Sequence, residues 1–234
     1  MSGEARDAVL GRVRRALGRG PRTPDELRRK LLARLAAPQP VLIPARGNLE
    51  LEGRIRLFIA QANAVQTEVL RVGRYADLPD AAVDYLRRSS LPLQLVMATD
   101  PLLRRADWAA TLLEIRHGRP EDRDPVGLTT AFAGIAETGT LMLLSSPETP
   151  TTLAFLPETS IIVLPAVRVL RAYEDGLRAL REERGAMPRS VNFVTGPSRS
   201  GDIEQTIQLG AHGPRRLLVL LVDELPDGSP QPDA

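Results

Sequence analysis

From residue 49 onward, short apolar runs alternate with amphipathic segments, and this alternation constrains the fold more than any other feature of the chain. The runs at 93–97 and 217–222 are short and continuous, which is typical of strands that are buried on both faces of a parallel sheet. Segments with helical periodicity lie between the runs, for example at 51–62 and 81–88. Strands that alternate with helices predict an α/β domain, a layered and mainly parallel sheet flanked by helices.

The same patterns predict five further elements. We expect strands at 65–72, 112–115 and 190–194, a long amphipathic helix at 167–184, and a shorter helix at 202–209.

The N-terminal part of the chain differs from the rest. Two arginine-rich segments at 5–17 and 23–35 predict helices, and prolines then interrupt the chain. The predicted organisation is an N-terminal helical arm and linker over 1–47, an α/β domain over 48–224, and a disordered tail over 225–234. Two interpretations of the arm stay open: a solvated arm that packs loosely on the domain, and a docking arm for a partner protein.

Composition excludes several classes of site. The 234 residues include no cysteine, which excludes disulfides, thiolate zinc sites and an iron–sulfur cluster held by this chain alone. Two histidines are too few for a histidine-rich metal site, and a net charge of +2 with 3% aromatic residues argues against nucleic-acid binding. No apolar run reaches about 18 residues, so we expect no transmembrane helix and a cytoplasmic protein.

A turn rich in Gly, Pro and Ser follows the predicted strand at 190–194 and precedes the predicted helix at 202–209. The free N–H groups and the dipole of a helix N-terminus attract anions, and Arg199 adds a planar cationic donor. The turn therefore predicts a site for a small anion, and a capped helix start without a ligand is the alternative. The candidate ligand-binding residues here are Ser198, Arg199, Ser200 and Asp202.

Glu137 is a carboxylate surrounded by small residues and flanked by two apolar stretches. Gly134 and Gly139 permit a close backbone approach or a positive φ. A carboxylate buried there would be a candidate acid, base or nucleophile. The alternative is a turn carboxylate that caps a neighbouring N–H. We take Glu137 as the candidate catalytic residue, with Thr138 and Gly139 as candidate ligand-binding neighbours.

Two more loops are candidates on weaker grounds. His212 lies between two glycines that leave its imidazole accessible, although a lone loop histidine is more often structural or merely exposed. The hydroxyl-rich loop at 145–152 follows an apolar run, and loops at the carboxyl ends of parallel strands gather ligand sites. Hydroxyl-rich loops are also ordinary turns.

Three blocks in this chain resemble, in order and spacing, signatures of the lactate-utilisation (LUD) domain family, and in particular its C-type members. They are Gly134–Thr140, Gly196–Glu204 and Gly210–Pro214. The resemblance implies a fold similar to the sugar-phosphate isomerase and CoA-transferase group. It also implies a role in bacterial oxidation of L-lactate to pyruvate, with iron–sulfur clusters on partner subunits and no cofactor in this chain.

Three functions stay open on these grounds. The first is a subunit of a lactate-oxidising system that binds a small carboxylate or phosphate. Arg199 would neutralise the anion, and Glu137 would orient or protonate the ligand. Thr138, Ser198 and His212 would complete the site. The second is a transferase or ligase that acts alone and uses Glu137. The third is a scaffold that docks through the N-terminal helices.

Overall fold

The computed structural model describes residues 3–20, 23–37, 42–122, 124–200 and 208–225, with only the backbone at residues 200, 208 and 209. The chain divides into two compact units, residues 1–42 and 43–234. The predicted boundary after residue 47 stays a prediction. Residues 226–234 of the predicted tail lie outside the described residues.

The first unit contains two helices, α1 (Gly3–Ala16) and α2 (Asp25–Ala36), and neither helix buries a residue. Apolar side chains at helical spacing are exposed on each helix, for example Val9 and Val13 on α1 and Leu31 and Leu35 on α2. The predicted helices are therefore present, and each presents an apolar stripe that the unit itself does not cover.

A six-stranded sheet forms the centre of the second unit, and all its pairings are parallel. Its strands are β1 (Thr67–Val72), β2 (Gln94–Met97), β3 (Glu114–His117), β4 (Val126–Thr130), β7 (Thr159–Pro165) and β12 (Arg216–Val222). Their spatial order is β1-β12-β7-β4-β2-β3. The central strands β4 and β7 are buried at every position, which confirms the parallel sheet predicted from the apolar runs.

A second sheet has four strands in the order β8-β5-β6-β9. They are β5 (Ala133–Ile135), β6 (Thr140–Leu144), β8 (Val169–Leu170) and β9 (Val191–Val194). Two residues separate β5 from the end of β4, and β5 pairs with β8 in parallel and forms an antiparallel hairpin with β6. A short antiparallel pair, β10 (Arg199–Ser200) and β11 (Gln208–Leu209), follows β9.

The described residues of the second unit also form four α-helices: α3 (Leu51–Ala64), α4 (Leu78–Arg88), α5 (Thr152–Phe155) and α6 (Tyr173–Arg184). Helix α4 buries Leu86 in one apolar core, together with Val96 and Leu220 of the main sheet. Helix α3 buries Phe58 in another core, which contains Val219 of the main sheet and Leu141 of the second sheet. Each of these large side chains gains about 1.5–3 kcal/mol by leaving water.

Two predicted helices are wrong in part. The helix predicted over 167–184 begins only at Tyr173, because Val169 and Leu170 pair with β5 instead. The helix predicted over 202–209 ends in a strand, because Gln208 and Leu209 pair with β10. Residues 201–207 lie outside the described residues. In both places pairing with another strand overrides the local periodicity.

Candidate functional site

The turn of the β5–β6 hairpin carries the first block of the sequence resemblance and is fixed against α3. Gly139 has φ +64° in this turn, a conformation that favours glycine. A Cβ at this position would lie 2.3 Å from the backbone N of Ala62, near the end of α3. A residue without a side chain is therefore required here both for its dihedral angle and for the close approach of the helix.

Glu137, in the same turn, is only 5% exposed. Its backbone N–H donates to the carbonyl of Arg171 at 3.2 Å. Its carboxylate oxygen Oε2 is buried and accepts no hydrogen bond from any described residue. A buried oxygen without a partner costs about 1–3 kcal/mol, and more when it is charged, so such an atom calls for a reason beyond the fold itself.

Four hydroxyl groups form a connected cluster beside this turn. Thr138 and Thr140 bond each other through their Oγ1 atoms at 2.7 Å, and the hydroxyl of Tyr173, the first residue of α6, contacts both of them at 3.2 and 2.9 Å. Thr140 also bonds Thr195, directly after β9, at 2.6 Å. Each hydroxyl can donate and accept, so the cluster joins the first block to the second through hydrogen bonds alone.

The turn after β9 packs on the residue that follows α3. Gly196 has φ +85°, and a Cβ there would lie 2.6 Å from the carbonyl oxygen of Val65. Arg199 donates from Nη2 to that same carbonyl oxygen at 2.7 Å, while its side chain is otherwise exposed. The guanidinium predicted to neutralise an anion is thus anchored to the backbone.

The third block closes onto the second through Ser198. The N–H of Ser198 donates to the carbonyl of Pro214 at 2.8 Å, and its own carbonyl accepts from Gly210 at 2.9 Å. The backbone N–H of His212 donates to Ser198 Oγ at 3.3 Å, and the imidazole is exposed. The two loops are therefore one packed unit, in which His212 contributes its backbone and presents its ring to solvent.

The predicted helix N-terminus after Ser200 falls in residues 201–207, outside the described residues, and stays a prediction. Ser200 lies in β10 and pairs with Gln208, so the backbone there is extended. Asp202, another of the predicted ligand residues, lies outside the described residues.

The three blocks converge on the end of α3, and we call this region the motif junction: Glu137–Thr140, Thr195–Arg199 and Gly210–Pro214, packed around residues 61–65. The predicted residues Glu137, Thr138, Gly139, Ser198, Arg199 and His212 all belong to it. The sequence reasoning missed Tyr173, whose position at helical spacing resembles that of an ordinary core residue. The junction is closely packed, and Glu137 lies inside it whereas Arg199 lies on its surface.

A separate open region lies at the carboxyl ends of β2, β4 and β7. A cleft of about 720 Å³ adjoins a hollow of about 250 Å³, and Asp100 and Arg184 line both. We call the two together the carboxyl-end cleft. Crevices in this position bind ligands in many open α/β sheets. Other polar residues that line it are Thr130, Ser145, Ser146, Glu148, Thr149, Arg168 and Glu183.

Asp100 is held rigidly at the floor of the carboxyl-end cleft. Its Oδ1 accepts from the N–H of Leu102 at 2.8 Å, and its Oδ2 accepts from the hydroxyl of Thr130 at 2.7 Å. The first bond caps the short 3-10 helix Pro101–Arg105 that follows β2, and the second connects Asp100 to the last residue of β4. The sequence reasoning missed Asp100 and Thr130, because they are 30 residues apart and neither belongs to a recognisable motif.

Charges in the carboxyl-end cleft are largely balanced. The hydroxyl of Ser146, with a smaller contribution from the positive charge of Arg184, lowers the pKa of Glu148 below its ordinary value. Arg168 pairs with Glu183 at 2.6 Å and lies over the ring of Phe132, 4.4 Å from its centroid. The cleft therefore offers donors and acceptors of both signs, which suits a small polar molecule.

The parts of the chain that the structure describes contain neither a cluster of metal ligands nor a helix that could span a membrane. No three histidine, aspartate or glutamate side chains there lie close enough together to ligate a metal ion. Across the same ranges, every helix is too short or too polar to cross a bilayer.

Comparison with known proteins agrees with the three blocks. Residues 123–222 match the family model of the LUD domain. A lactate utilization protein C of Anoxybacillus flavithermus is 31% identical over 103 residues, 44% of this chain and 46% of its own length. A lactate utilization protein C of Halalkalibacterium halodurans is 25% identical over 236 residues, 94% of this chain and 99% of its own length. Apart from that match, the aligned segment spans less than half of the length of the curated relatives we compared.

A solved structure shares the fold. A DUF162 family protein from Deinococcus radiodurans superposes with a TM-score of 0.57 at 22% identity, over 75% of this chain and 99% of its own. The match supports the α/β fold of this chain. The residues of the LUD model begin just before β4 and end with β12, so they contain all three blocks of the motif junction. Motifs, family model and fold therefore agree in one respect: residues 123–222 of this chain are similar to the LUD domain.

Proposed function

We propose that this protein takes part in lactate utilization by binding a small carboxylate at the motif junction. The names of two relatives, both lactate utilization protein C, support the process. The unpartnered Oε2 of Glu137 supports the place and is the observation that carries the proposal. A 2-hydroxy acid such as L-lactate has the complementary groups, a hydroxyl donor for this oxygen and a carboxylate for a cationic side chain.

In this proposal Glu137 accepts a hydrogen bond from the ligand hydroxyl, and the threonine hydroxyls beside it orient the ligand. A carboxylate acceptor held without a competing partner is ready for a ligand donor, because no internal hydrogen bond must first break. Its burial also removes water that would otherwise compete for the oxygen.

Arg199 has the second role. Its Nη2 holds the carbonyl oxygen of Val65 in the structure described here. Exchanging that neutral acceptor for the carboxylate of the ligand would convert an ordinary hydrogen bond into a charge-assisted one, which is about twice as strong. Binding would then loosen the turn at 195–199 from Val65 and open a route to Glu137.

The test is calorimetric titration of the full chain with L-lactate, pyruvate and inorganic phosphate. We expect L-lactate to bind, pyruvate to bind more weakly because it lacks the hydroxyl donor, and Arg199→Ala to weaken L-lactate binding about 10-fold. Equal affinity in wild type and Arg199→Ala would remove Arg199 from the site.

The matched control is Arg215→Ala. Arg215 is another exposed arginine, and its Nη1 pairs with Glu158 at 3.0 Å. Loss of its charge should leave lactate affinity unchanged. A similar loss of affinity in both variants would indicate a general charge effect and would contradict a specific role for Arg199.

The redox step belongs on partner subunits in this proposal, since the sequence contains no cysteine to hold an iron–sulfur cluster. Co-purification with neighbouring gene products, followed by lactate-dependent reduction of a dye with and without this chain, tests that division of labour. Full dye reduction without the chain would contradict its participation in the oxidation.

A transferase or ligase that acts alone is the second candidate, and the buried Glu137 favours it because its Oε2, without a partner among the described residues, is available as a nucleophile or base. It predicts turnover of an acyl or phosphoryl substrate without any redox partner, and loss of that turnover in Glu137→Gln. Lactate binding without turnover in the purified chain would favour the first function.

A further inference from the structure

A third cleft is also lined by the loop at 145–152, and it shares Ser145 and Ser146 with the carboxyl-end cleft. Its volume is about 530 Å³. Two arginines, Arg119 and Arg189, line it, together with the hydroxyl residues Ser145, Ser146, Thr151 and Thr152 and two prolines. No described carboxylate lines it, in contrast to the carboxyl-end cleft, where three carboxylates offset the arginines.

The two arginines come from different parts of the chain. Arg119 follows β3 at the carboxyl end of the main sheet, and Arg189 lies just before β9. Neither guanidinium forms a salt bridge or a hydrogen bond with another described residue, and both side chains are exposed. Two cations that share a cleft without a counter-charge repel each other, so an anion between them lowers the free energy of the site.

The loop that lines both clefts is held in shape by its own serines. Ser146 Oγ accepts from the N–H groups of Glu148 and Thr149 at 3.1 and 3.0 Å. Ser145 Oγ accepts from the N–H of Ser190 at 2.9 Å, which ties the loop to the residue beside Arg189. These bonds fix the wall of the cleft relative to one of its two arginines.

The threonines of the same loop are available to a ligand. The hydroxyls of Thr151 and Thr152 bond no described residue, and Thr151 does not cap the short helix that follows it. The cleft therefore combines two guanidinium groups with two hydroxyl donors on a wall that is already ordered. This set of donors matches an anion with several acceptor oxygens better than it matches a single carboxylate.

We propose that the cleft between Arg119 and Arg189 binds a phosphoryl group, such as that of a phosphorylated metabolite. A phosphate monoester carries a charge of about −1.5 to −2 at pH 7 and three strong acceptor oxygens, so it can satisfy both guanidinium groups at once. This site is separate from the motif junction and does not depend on the role in lactate utilization.

The probe is inorganic phosphate, titrated into the full chain at low ionic strength, with acetate as the comparison anion. We expect saturable binding of phosphate, about 10-fold weaker in Arg119→Ala and in Arg189→Ala, and no detectable binding in the double variant. Binding should also strengthen from pH 6 to pH 8, because the second pKa of phosphate is about 6 while the arginines keep their charge.

Arg87→Ala is the matched control, since Arg87 is an exposed arginine on α4 far along the chain from the cleft. Its phosphate affinity should equal that of the wild type. Thermal unfolding of each variant checks that the fold is kept, and removal of an exposed arginine should leave the unfolding midpoint close to that of the wild type. Absence of saturable phosphate binding in the wild type, unchanged affinity in the double variant, or acetate binding as tight as phosphate would overturn the proposal.

Discussion

The motif junction and the carboxyl-end cleft are built on opposite principles. The junction is closed: two glycines with positive φ let backbones meet, and a carboxylate is buried inside. The cleft is open, with a volume of about 720 Å³, and the carboxylate of Asp100 in it has hydrogen-bond partners for both of its oxygens. Among the described residues, the junction thus buries a carboxylate oxygen without a partner and has no opening, whereas the cleft is open and its Asp100 carboxylate already has partners.

An unpartnered buried oxygen and an open crevice indicate different properties of a site. An unpartnered buried oxygen identifies a group whose position costs stability, and such groups are retained when they serve binding or catalysis. An open crevice identifies space, which is necessary for a ligand but does not specify one. If both regions act in one function, the junction supplies the chemistry and the cleft supplies access for other molecules.

The largest expected effect comes from the closed region. Gly139→Ala adds a Cβ 2.3 Å from Ala62 N at φ +64°, so it combines backbone strain with an overlap that α3 cannot relieve. We expect a loss of about 3–5 kcal/mol in the free energy of unfolding, measured by urea titration.

Gly185→Ala is the control for that prediction. Gly185 has the same φ of +64° at the end of α6, but a Cβ there meets no atom within 4 Å. We expect a loss of only about 1 kcal/mol, since the dihedral penalty alone remains. Equal losses in the two variants would mean that the junction is not closely packed, and the contrast with the cleft would fail.

A substitution in the carboxyl-end cleft should lower the free energy of unfolding by a smaller amount. Asp100→Ala removes the acceptor for Leu102 N and for the hydroxyl of Thr130, and we expect a loss of about 1–3 kcal/mol. Asp107→Ala is the control, because Asp107 precedes a similar helical turn without capping it. Asp107→Ala should stay within about 0.5 kcal/mol of wild type. A loss as large as that of Gly139→Ala would show that the cleft floor is no less constrained than the junction.

The smallest effect is a pH dependence of the free energy of unfolding. It arises at the start of α6, the helix that brings Tyr173 to the junction. A hydrogen bond from Arg171 lowers the pKa of the buried Asp175 carboxyl below 3.8. Its stabilising contribution is therefore full above pH 3.8 and disappears as the pH falls through the lower pKa of the folded state. Because Arg171 is partly exposed, we expect the ionised Asp175 to contribute about 1 kcal/mol to the free energy of unfolding.

The measurement is urea unfolding of wild type and Asp175→Asn at pH 7 and at a pH well below 3.8. The variant should be less stable than wild type at pH 7, and the difference should shrink in acid. A difference that stays constant with pH would assign the effect of the substitution to packing instead of charge.

Much of the fold could be predicted because its signals are local. The buried strands at 93–97 and 217–222 are continuous apolar runs, and a parallel sheet requires runs of this kind. The second sheet could not be predicted in the same way. Val169 and Leu170 continue the periodicity of α6, and only their pairing with β5, which depends on the tertiary fold, makes them a strand.

The two regions also differ in how far the sequence reveals them. Glu137 and Arg199 each lie in a short block that is recognisable as a unit, so the sequence indicates the junction. Asp100, Thr130 and Arg184 are single residues far apart in the chain, and only the packing of strand ends brings them into one cleft. Contact between distant single residues depends on the whole fold and leaves no local pattern.

The most direct test of the account is the paired measurement of lactate affinity and stability in Glu137→Gln. The substitution keeps the shape of the side chain and removes the buried negative charge, so the free energy of unfolding should be unchanged or higher. At the same time, L-lactate affinity should fall about 10-fold or more, because the acceptor for its hydroxyl is weakened. A destabilised variant that binds L-lactate as tightly as wild type would make Glu137 a structural residue and would contradict the account.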